Sequence, residues 1–143
     1  MDELYLVVEL QKDGDTLSQI ITEQTSLPQA NYQFHYAAAF AAISSIDKHS
    51  VSILNENGLL VDRAIYNRTE EEEDSANQKY LVIELQVNNG QPAKIVTVHD
   101  TLQDAQYKFH TGAASASISS VQKHVVIIMN EYGFPIENAI FKH

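Results

Sequence analysis

The sequence contains no cysteine and no tryptophan among its 143 residues. The absence of cysteine excludes disulfide frameworks, thiolate nucleophiles and zinc sites with cysteine ligands. Long apolar runs are also missing. The longest uncharged apolar stretch, Tyr36–Ile46, is interrupted by serines and is far shorter than the roughly 20 residues that a membrane span needs. The acidic start, Met-Asp-Glu, is unlike a signal peptide. We therefore expect a cytoplasmic chain without membrane contact.

Basic residues are scarce: 9 Lys and Arg stand against 19 Asp and Glu, which gives a formal net charge of −10. Half of that net charge lies in Thr69–Gln78, within a segment that we interpret as a solvated linker over residues 69–79. Neither flanking region has the basic stripe that binds nucleic acid, so we expect no nucleic-acid partner. A nucleic-acid mimic needs carboxylates spread over a folded face, and the concentration of charge in the linker disfavours it.

Motifs of known catalytic and cofactor sites are absent as well. The sequence has no glycine-rich phosphate loop, P-loop lysine, His-Glu-x-x-His motif or EF-hand spacing. The recurring pairs Ser44-Ser45 and Ser119-Ser120 lack the Gly-x-Ser-x-Gly surroundings of a hydrolase nucleophile, so we assign them to late-helix packing and backbone hydrogen bonding. We expect no cofactor, no metal ion and no catalytic residue, which favours a non-enzyme without excluding an enzyme.

What the chain does have is an internal duplication. Tyr5–Arg68 matches Tyr80–His143 without a gap at an offset of 75 positions, and 28 of the 64 pairs are identical. YLVVELQ recurs as YLVIELQ, and YQFHYAAAFAAISSIDKH recurs as YKFHTGAASASISSVQKH. The predicted organisation is a first repeat over residues 1–68, the linker over 69–79 and a second repeat over 80–143.

Each repeat begins and ends with the pattern of a β-hairpin. Side chains alternate over residues 5–10 as in a half-buried strand, and a turn at 13–14 leads into a second strand. The closing hairpin of the first repeat is predicted at Val51–Leu54 and Leu59–Tyr66, with a glycine-containing turn between its strands. The second repeat has the same pattern throughout.

One helix is predicted between the hairpins. Ser26 and Thr101 begin an approximate capping box, and each helix is expected to run to about Ile46 or Val121. The fold class is therefore α+β: a tandem duplication of a ββαββ unit, forming a pseudo-twofold dimer with antiparallel sheet strands. Whether these strands form one sheet or two stays open.

The helices are expected to pack side by side. Positions that are apolar or repeated cover an arc of roughly 220°, which is more than one sheet face requires. The small residues assigned to this helix contact are Ala39, Ala42, Ile43, Ala114, Ser117 and Ile118.

The two helices differ most on one side, which marks a first candidate site. Tyr36 and Phe40 lie one turn apart, whereas Thr111 and Ser115 stand at the same positions of the second helix. Our leading hypothesis is a non-enzymatic binding or assembly module that engages a protein partner through this aromatic pair or a strand edge. The alternative is that the linker or the other repeat covers the pair. The chain is expected to be a monomeric pseudo-dimer or a homo-oligomer.

A second hypothesis places a site on the pseudo-twofold axis. Tyr32, His35, Tyr107 and His110 belong to the recurring pattern Tyr-x-Phe-His. If the axis brought both histidines together, they would form metal ligands or an acid–base pair in a small-molecule carrier or enzyme. This requires the four side chains within about 8 Å of one another around a concave pocket. The simpler interpretation is a hydrogen-bonded histidine at the edge of each helix core.

Two further pairs of ionisable residues recur between the repeats. His49 and His124 each follow a lysine just past the predicted helix end, so we interpret them as caps of the helix carbonyls. Glu9 and Glu84 lie on the strand side opposite the leucines, where glutamates are typical of a solvated face. The alternative for the glutamates is a carboxylate pair such as glycosidases use.

Several motifs together resemble a known group of proteins. They are Tyr-x-x-His on a helix rich in alanine and serine, Asn-Glu-x-Gly in a hairpin and a final aromatic-Lys-His. This combination is similar to small accessory proteins of phage and mobile-element gene clusters in Gram-positive bacteria. The resemblance implies an accessory or structural role and no transferable catalytic residues. The usual unit in that group is single, so a single-copy relative is expected to dimerise and this chain to be that dimer fused.

Overall fold

The computed structural model describes residues 4–69 and 78–143. They form two four-stranded antiparallel sheets, each with one helix, and each repeat has the element order ββαββ. The α+β class and the tandem duplication predicted from the sequence are confirmed. Of the acidic linker predicted at 69–79, residues 70–77 lie outside the described residues.

The first repeat contains four strands and one helix. In chain order they are β1 (Tyr5–Asp13), β2 (Thr16–Gln24), α1 (Leu27–Ile43), β3 (Lys48–Asn55) and β4 (Leu60–Asn67). The second repeat has the same elements at equivalent positions. They are β5 (Tyr80–Asn88), β6 (Gln91–His99), α2 (Leu102–Ser117), β7 (Lys123–Asn130) and β8 (Pro135–Lys142).

The helix of each repeat connects two hairpins whose first strands pair with each other. The strand order is therefore β2-β1-β3-β4 in one sheet and β6-β5-β7-β8 in the other. In the first sheet, Gln11 lies opposite His49 and Glu9 lies opposite Val51. Because side chains alternate between the two faces of a strand, these four residues share one face.

Both helices begin where the capping pattern predicts, but they end earlier. The side-chain oxygens of Ser26 and Thr101 accept hydrogen bonds from the backbone N–H three residues later, at 3.3 and 3.1 Å. The helices end at Ile43 and Ser117, three to four residues before the predicted ends. Ser44 follows α1 in extended backbone, with φ −71° and ψ 151°. The chain is therefore already leaving the helix for the next strand at that residue.

The serines that follow each helix bond to the backbone. Ser44 Oγ accepts a hydrogen bond from the Ile46 N–H at 3.0 Å, and Ser119 Oγ accepts one from the Val121 N–H at 3.0 Å. The predicted hydrogen bonding to the backbone is confirmed for Ser44 and Ser119, and it stays a prediction for Ser45 and Ser120. The prediction that they pack within the last helical turn is wrong, because both follow the helix.

Each sheet has a buried apolar face under its helix. In the first repeat, Val7, Val51 and Ile53 pack there with Phe34 of α1. The other face of β1 is buried as well, and Leu6 on that face is fully excluded from solvent. The alternation predicted the buried set correctly, since Leu6, Val8 and Leu10 are buried, while Tyr5 and Glu9 on the face under the helix stay partly exposed.

The described residues form two compact units whose limits differ slightly from those of the repeats. The first unit contains the described residues of the first repeat together with Glu131–Phe134, the turn between β7 and β8. The second unit contains residues 78–130 and 135–143. The first unit is thus completed by four residues that are distant in the sequence.

The surface assigned to helix–helix packing is exposed. Ile43 and Ile118 are 83% and 88% exposed, and the alanines and the serine assigned to the same contact are exposed as well. The helix–helix contact would join the two units and stays a prediction.

Candidate functional site

Helix α1 displays its aromatic side chains away from its sheet. Its buried residues are Ala30, Phe34, Ala37, Ala38 and Ala41. At about 100° per residue, Tyr32, Tyr36 and Phe40 project from the opposite side of the helix. We call these three side chains the α1 aromatic row.

The α1 aromatic row is continuous and exposed. The ring centroids of Tyr32 and Tyr36 are 6.1 Å apart, and those of Tyr36 and Phe40 are 5.1 Å apart. In chain order the three residues are 71%, 55% and 55% exposed. Ile43 continues the same side of the helix toward its end. Because neighbouring rings contact each other one turn apart, the row is an ordered apolar surface along about 12 Å of helix.

The helix that carries the row has no charged side chain. No Asp, Glu, Lys or Arg occurs between Glu23 and Asp47, although the whole chain has a net charge of −10. By contrast, α2 carries Asp104 and Lys108. The first helix thus combines exposed aromatic rings with an absence of charge, and the second does not.

The second helix lacks two of the three aromatic side chains of the row. Thr111 and Ser115 take the places of Tyr36 and Phe40 and are exposed, while Tyr107 is 75% exposed. The two residues singled out by comparing the repeats therefore lie at solvent-exposed positions. Both are more than half exposed, and the alternative that the linker covers them falls on residues 70–77, outside the described residues.

The residues of the axial hypothesis are also exposed: Tyr32, His35, Tyr107 and His110. Each histidine ring packs edge-on against the preceding phenylalanine, with centroids 5.1 Å apart. Each histidine thus lies at the edge of its helix core, as the simpler interpretation has it, although both are exposed; the hydrogen bond of that interpretation stays a prediction. His35 and His110 belong to different units, and the axial site stays a prediction.

A carboxylate–imidazole pair lies beneath each helix. His49 Nε2 is 3.3 Å from Glu9 Oε1, and His124 Nε2 is 3.1 Å from Glu84 Oε1. Both histidine side chains are 4% exposed. Helix α2 lies directly over the second pair, because a Cβ added to Gly112 would be 3.4 Å from the Glu84 side chain.

These pairs correct two predictions. His49 and His124 were expected to cap the helices, but each is the second residue of a strand, because the helix ends earlier. Glu9 and Glu84 were expected on a solvated face, but each lies on the sheet face that its helix covers. Each carboxylate has a histidine neighbour within its own unit, and the pair of glutamates from different units stays a prediction.

Carboxylate–imidazole pairs also occur in catalytic sites, together with a nucleophile. In a serine-type triad, the carboxylate holds one ring nitrogen while the other takes a proton from the nucleophile. In His49 and His124, the remaining nitrogen, Nδ1, is buried and has no hydrogen-bond partner among the described residues. His124 Nε2 shares a hydrogen bond with Glu84 and so joins β7 to β5, whereas His49 Nε2 approaches Glu9 without a hydrogen bond.

The side chains that meet the helix C-termini come from the last residue of each repeat. The Arg68 guanidinium donates hydrogen bonds to the carbonyl oxygens of Ala41 and Ala42 at 2.8 and 3.0 Å. His143 Nε2 lies 3.1 Å from the carbonyl oxygen of Ala116. These side chains satisfy free carbonyls at the negative end of each helix.

A buried ion cluster in the first unit was missed by the sequence analysis. Lys48 Nζ and Lys12 Nζ lie 2.8 and 3.0 Å from Glu131 Oε2, and the Glu131 side chain is fully buried. In the same turn, the carbonyl oxygen of Gly133 accepts a hydrogen bond from Ser52 Oγ at 2.6 Å. The turn Glu131–Phe134 is thus fixed in the first unit by buried polar contacts.

Comparison with protein-family models, with curated proteins and with solved structures gives no match. Among the residues that the structure describes, no three His, Asp or Glu side chains form a group able to hold a metal ion. Within the same residues, no helix has both the length and the apolar character needed to cross a membrane. The most distinctive exposed feature of the described chain is the α1 aromatic row.

Proposed function

We propose that the chain is a binding or assembly module that engages a protein partner through the α1 aromatic row. The proposal rests on one observation: three ordered aromatic side chains, each more than half exposed, lie on a helix that carries no charge. The proposed activity is binding alone, so it needs no catalytic group, cofactor or metal ion.

The composition of the row matches the centre of a protein interface. Interface centres are enriched in aromatic residues and depleted of charged ones, and a few such anchors contribute most of the binding energy. A ring of roughly 200 Å² that is 55% exposed leaves about 110 Å² for a partner to cover, equivalent to about 3 kcal/mol before the costs of association.

The setting that we propose is the one that the resemblance implies, an accessory or structural role in a bacterial or phage system, in the cytoplasm. The proposed partner is a protein and not a nucleic acid. Phosphate backbones are bound by Lys and Arg, and α1 has neither.

The test replaces the aromatic pair with the residues of the second helix. Tyr36→Thr/Phe40→Ser should keep the fold, because the new residues already occupy the same exposed positions in α2. The wild-type chain is first used to isolate a partner from its native cells, and the partner is purified. The double variant should then bind this partner about 10- to 100-fold more weakly than the wild-type chain does.

The matched control is Tyr107→Thr, which removes the α2 counterpart of Tyr32; these two tyrosines are 75% and 71% exposed. This variant should bind the purified partner as tightly as the wild-type chain. Equal affinity of the wild-type chain and the double variant would exclude the α1 aromatic row as the binding surface.

A further inference from the structure

We infer that the partner of the α1 aromatic row is a second copy of this chain, and that two copies form a closed homodimer by packing their α1 helices antiparallel. The inference rests on the proposed function and names the partner of that same surface. Four features of α1 support it: its charge, the arrangement of its large and small side chains, its exposed area and its occurrence once per chain.

The first argument is the charge of the surface. In a twofold-symmetric contact, a charged residue near the axis faces its own copy, and like charges repel. Two chains of net charge −10 therefore repel each other over most arrangements. Contact through α1 places no charged side chain of either helix in the centre of the interface. A basic partner, the obvious alternative for an acidic chain, would find no anionic group on this helix.

The second argument is the order of large and small side chains. If the twofold axis passes between Ala37 and Ala38, Tyr36 lies opposite the partner's Ala39. Tyr32 then lies opposite the partner's Ile43. All four of these outward-facing side chains are exposed. Near the axis the large Tyr36 thus meets the small Ala39, as in closely packed helices, and the same register places Phe40 opposite the partner's His35.

The third argument is area. Taking roughly 200 Å² for each ring, the exposed parts of the α1 aromatic row amount to about 360 Å² per copy and about 720 Å² for two copies. Ile43, which is 83% exposed, and the exposed alanines beside it raise the total to roughly 1,000 Å². This is the lower limit for a specific interface, so the dimer should be weak and depend on concentration.

The fourth argument is that the complete row occurs once in each chain. Thr111 and Ser115 break the equivalent row on α2, so a chain has one self-complementary surface of this kind. Association through a single isologous surface stops at two copies. If both helices carried the row, the same contact would link chains into longer assemblies.

Sedimentation velocity of the full chain from about 1 μM to about 200 μM tests the inference, because this range brackets the dissociation constants expected for a small interface. The wild-type chain and Tyr107→Thr should shift from monomer to dimer as concentration rises. Tyr36→Thr/Phe40→Ser should remain a monomer, with a circular dichroism spectrum like that of the wild-type chain. A wild-type chain that is monomeric throughout, or a folded double variant that dimerises as the wild type does, would overturn the inference.

The absence of native cysteine permits a second test, of the antiparallel arrangement. Within one helix, residues 32 and 43 are about 16 Å apart, which is too far for a disulfide. Mixing Tyr32→Cys with Ile43→Cys under mild oxidation should give more disulfide-linked dimer than either variant gives alone. Failure of the mixture to cross-link beyond the single variants would overturn the antiparallel arrangement.

The two proposals fail in different ways. A wild-type chain that stays monomeric while a different protein binds in a manner that depends on Tyr36 and Phe40 would overturn the homodimer and support the proposed function. A dimer that forms equally well in the double variant, together with no partner sensitive to that variant, would overturn both.

Discussion

Removal of Glu131, in the turn between β7 and β8, should destabilise the protein strongly. Its carboxylate is fully buried and lies 2.8 Å from Lys48 Nζ and 3.0 Å from Lys12 Nζ. The two lysine side chains are only 3% and 9% exposed. Glu131→Ala would leave two positive charges close together in a site that water scarcely reaches, without the carboxylate that they share.

The magnitude follows from these distances. At an effective dielectric constant of about 20, opposite unit charges 2.8 Å apart attract by about 6 kcal/mol. Desolvation of the three groups and repulsion between the lysines offset much of this attraction. Loss of one partner from a buried ion pair typically costs about 3–5 kcal/mol, which we expect for Glu131→Ala. For a chain of 143 residues this lowers the Tm by roughly 10–15 °C.

The matched control is Glu56, which occupies the same position in the first repeat and is only partly buried. Urea unfolding followed by circular dichroism measures the free energy of both variants. Glu56→Ala should cost less than Glu131→Ala, because contact with water screens the charge. Lys12→Val, which introduces the residue of the second repeat, should reduce the cost of Glu131→Ala. A cost below about 1 kcal/mol for Glu131→Ala, or equal costs for both glutamates, would refute the reasoning.

Three further changes test other parts of the fold. Gly133→Ala should lower the free energy of unfolding, measured with urea, more than Gly90→Ala does. Both glycines have positive φ (77° and 75°), but only at Gly133 would a Cβ lie 2.5 Å from a serine oxygen. We expect about 1–2 kcal/mol for Gly90→Ala and more for Gly133→Ala, and equal costs would contradict the close packing of that turn. Gly112→Ala should stabilise α2 by about 0.5–1 kcal/mol, because glycine weakens a helix interior, and a destabilised variant would show that no methyl group fits there. Lys79→Ala should raise the pKa of Asp100, because the Lys79 hydrogen bond and charge hold that pKa below its ordinary value. In the wild-type chain the contact between Lys79 and Asp100 should therefore contribute to stability at neutral pH, and this contribution should be lost as the pH falls through the lowered pKa. An unchanged pKa of Asp100 in an NMR titration of the variant would contradict this prediction.

Much of the secondary structure could be predicted, because the chain contains each local signal twice, once in each repeat. Alternation marks β1, and Ser26 and Thr101 mark the helix starts. The helix ends could not be placed correctly, because neither glycine nor proline follows Ile43 and Ile46 keeps the helical spacing of the apolar residues. Pairing of β3 with β1 is what makes Lys48 part of a strand, and no local pattern reports that pairing.

The cluster at Glu131 could not be predicted, because Lys12 and Glu131 are 119 positions apart and a glutamate in a hairpin turn is usually solvated. One signal was present in the sequence. Lys12 continues the alternation of Leu6 and Leu10, whereas the second repeat has Val87 at the same position. A lysine on a buried strand face requires a buried anion, but the sequence does not identify which one.

Part of the candidate binding surface could be predicted from the difference between the repeats. That comparison singled out Tyr36 and Phe40 but not Tyr32, because Tyr107 preserves the aromatic side chain in the second helix. The ring contact between Tyr32 and Tyr36 joins all three side chains into one row. Their exposure depends on which side of α1 packs on the sheet, and the hydrophobic pattern of an alanine-rich helix specifies that side poorly.

Hydroxyl-radical footprinting of the aromatic residues tests the central claim most directly, because one experiment compares the free chain with the chain in its native cells. Tyr36 and Phe40 should be labelled in dilute purified protein and protected in cells, while Tyr107, at 75% exposure, should be labelled in both. Equal labelling of Tyr36 and Phe40 in dilute solution and in cells would mean that no partner covers α1, and would contradict the proposed function.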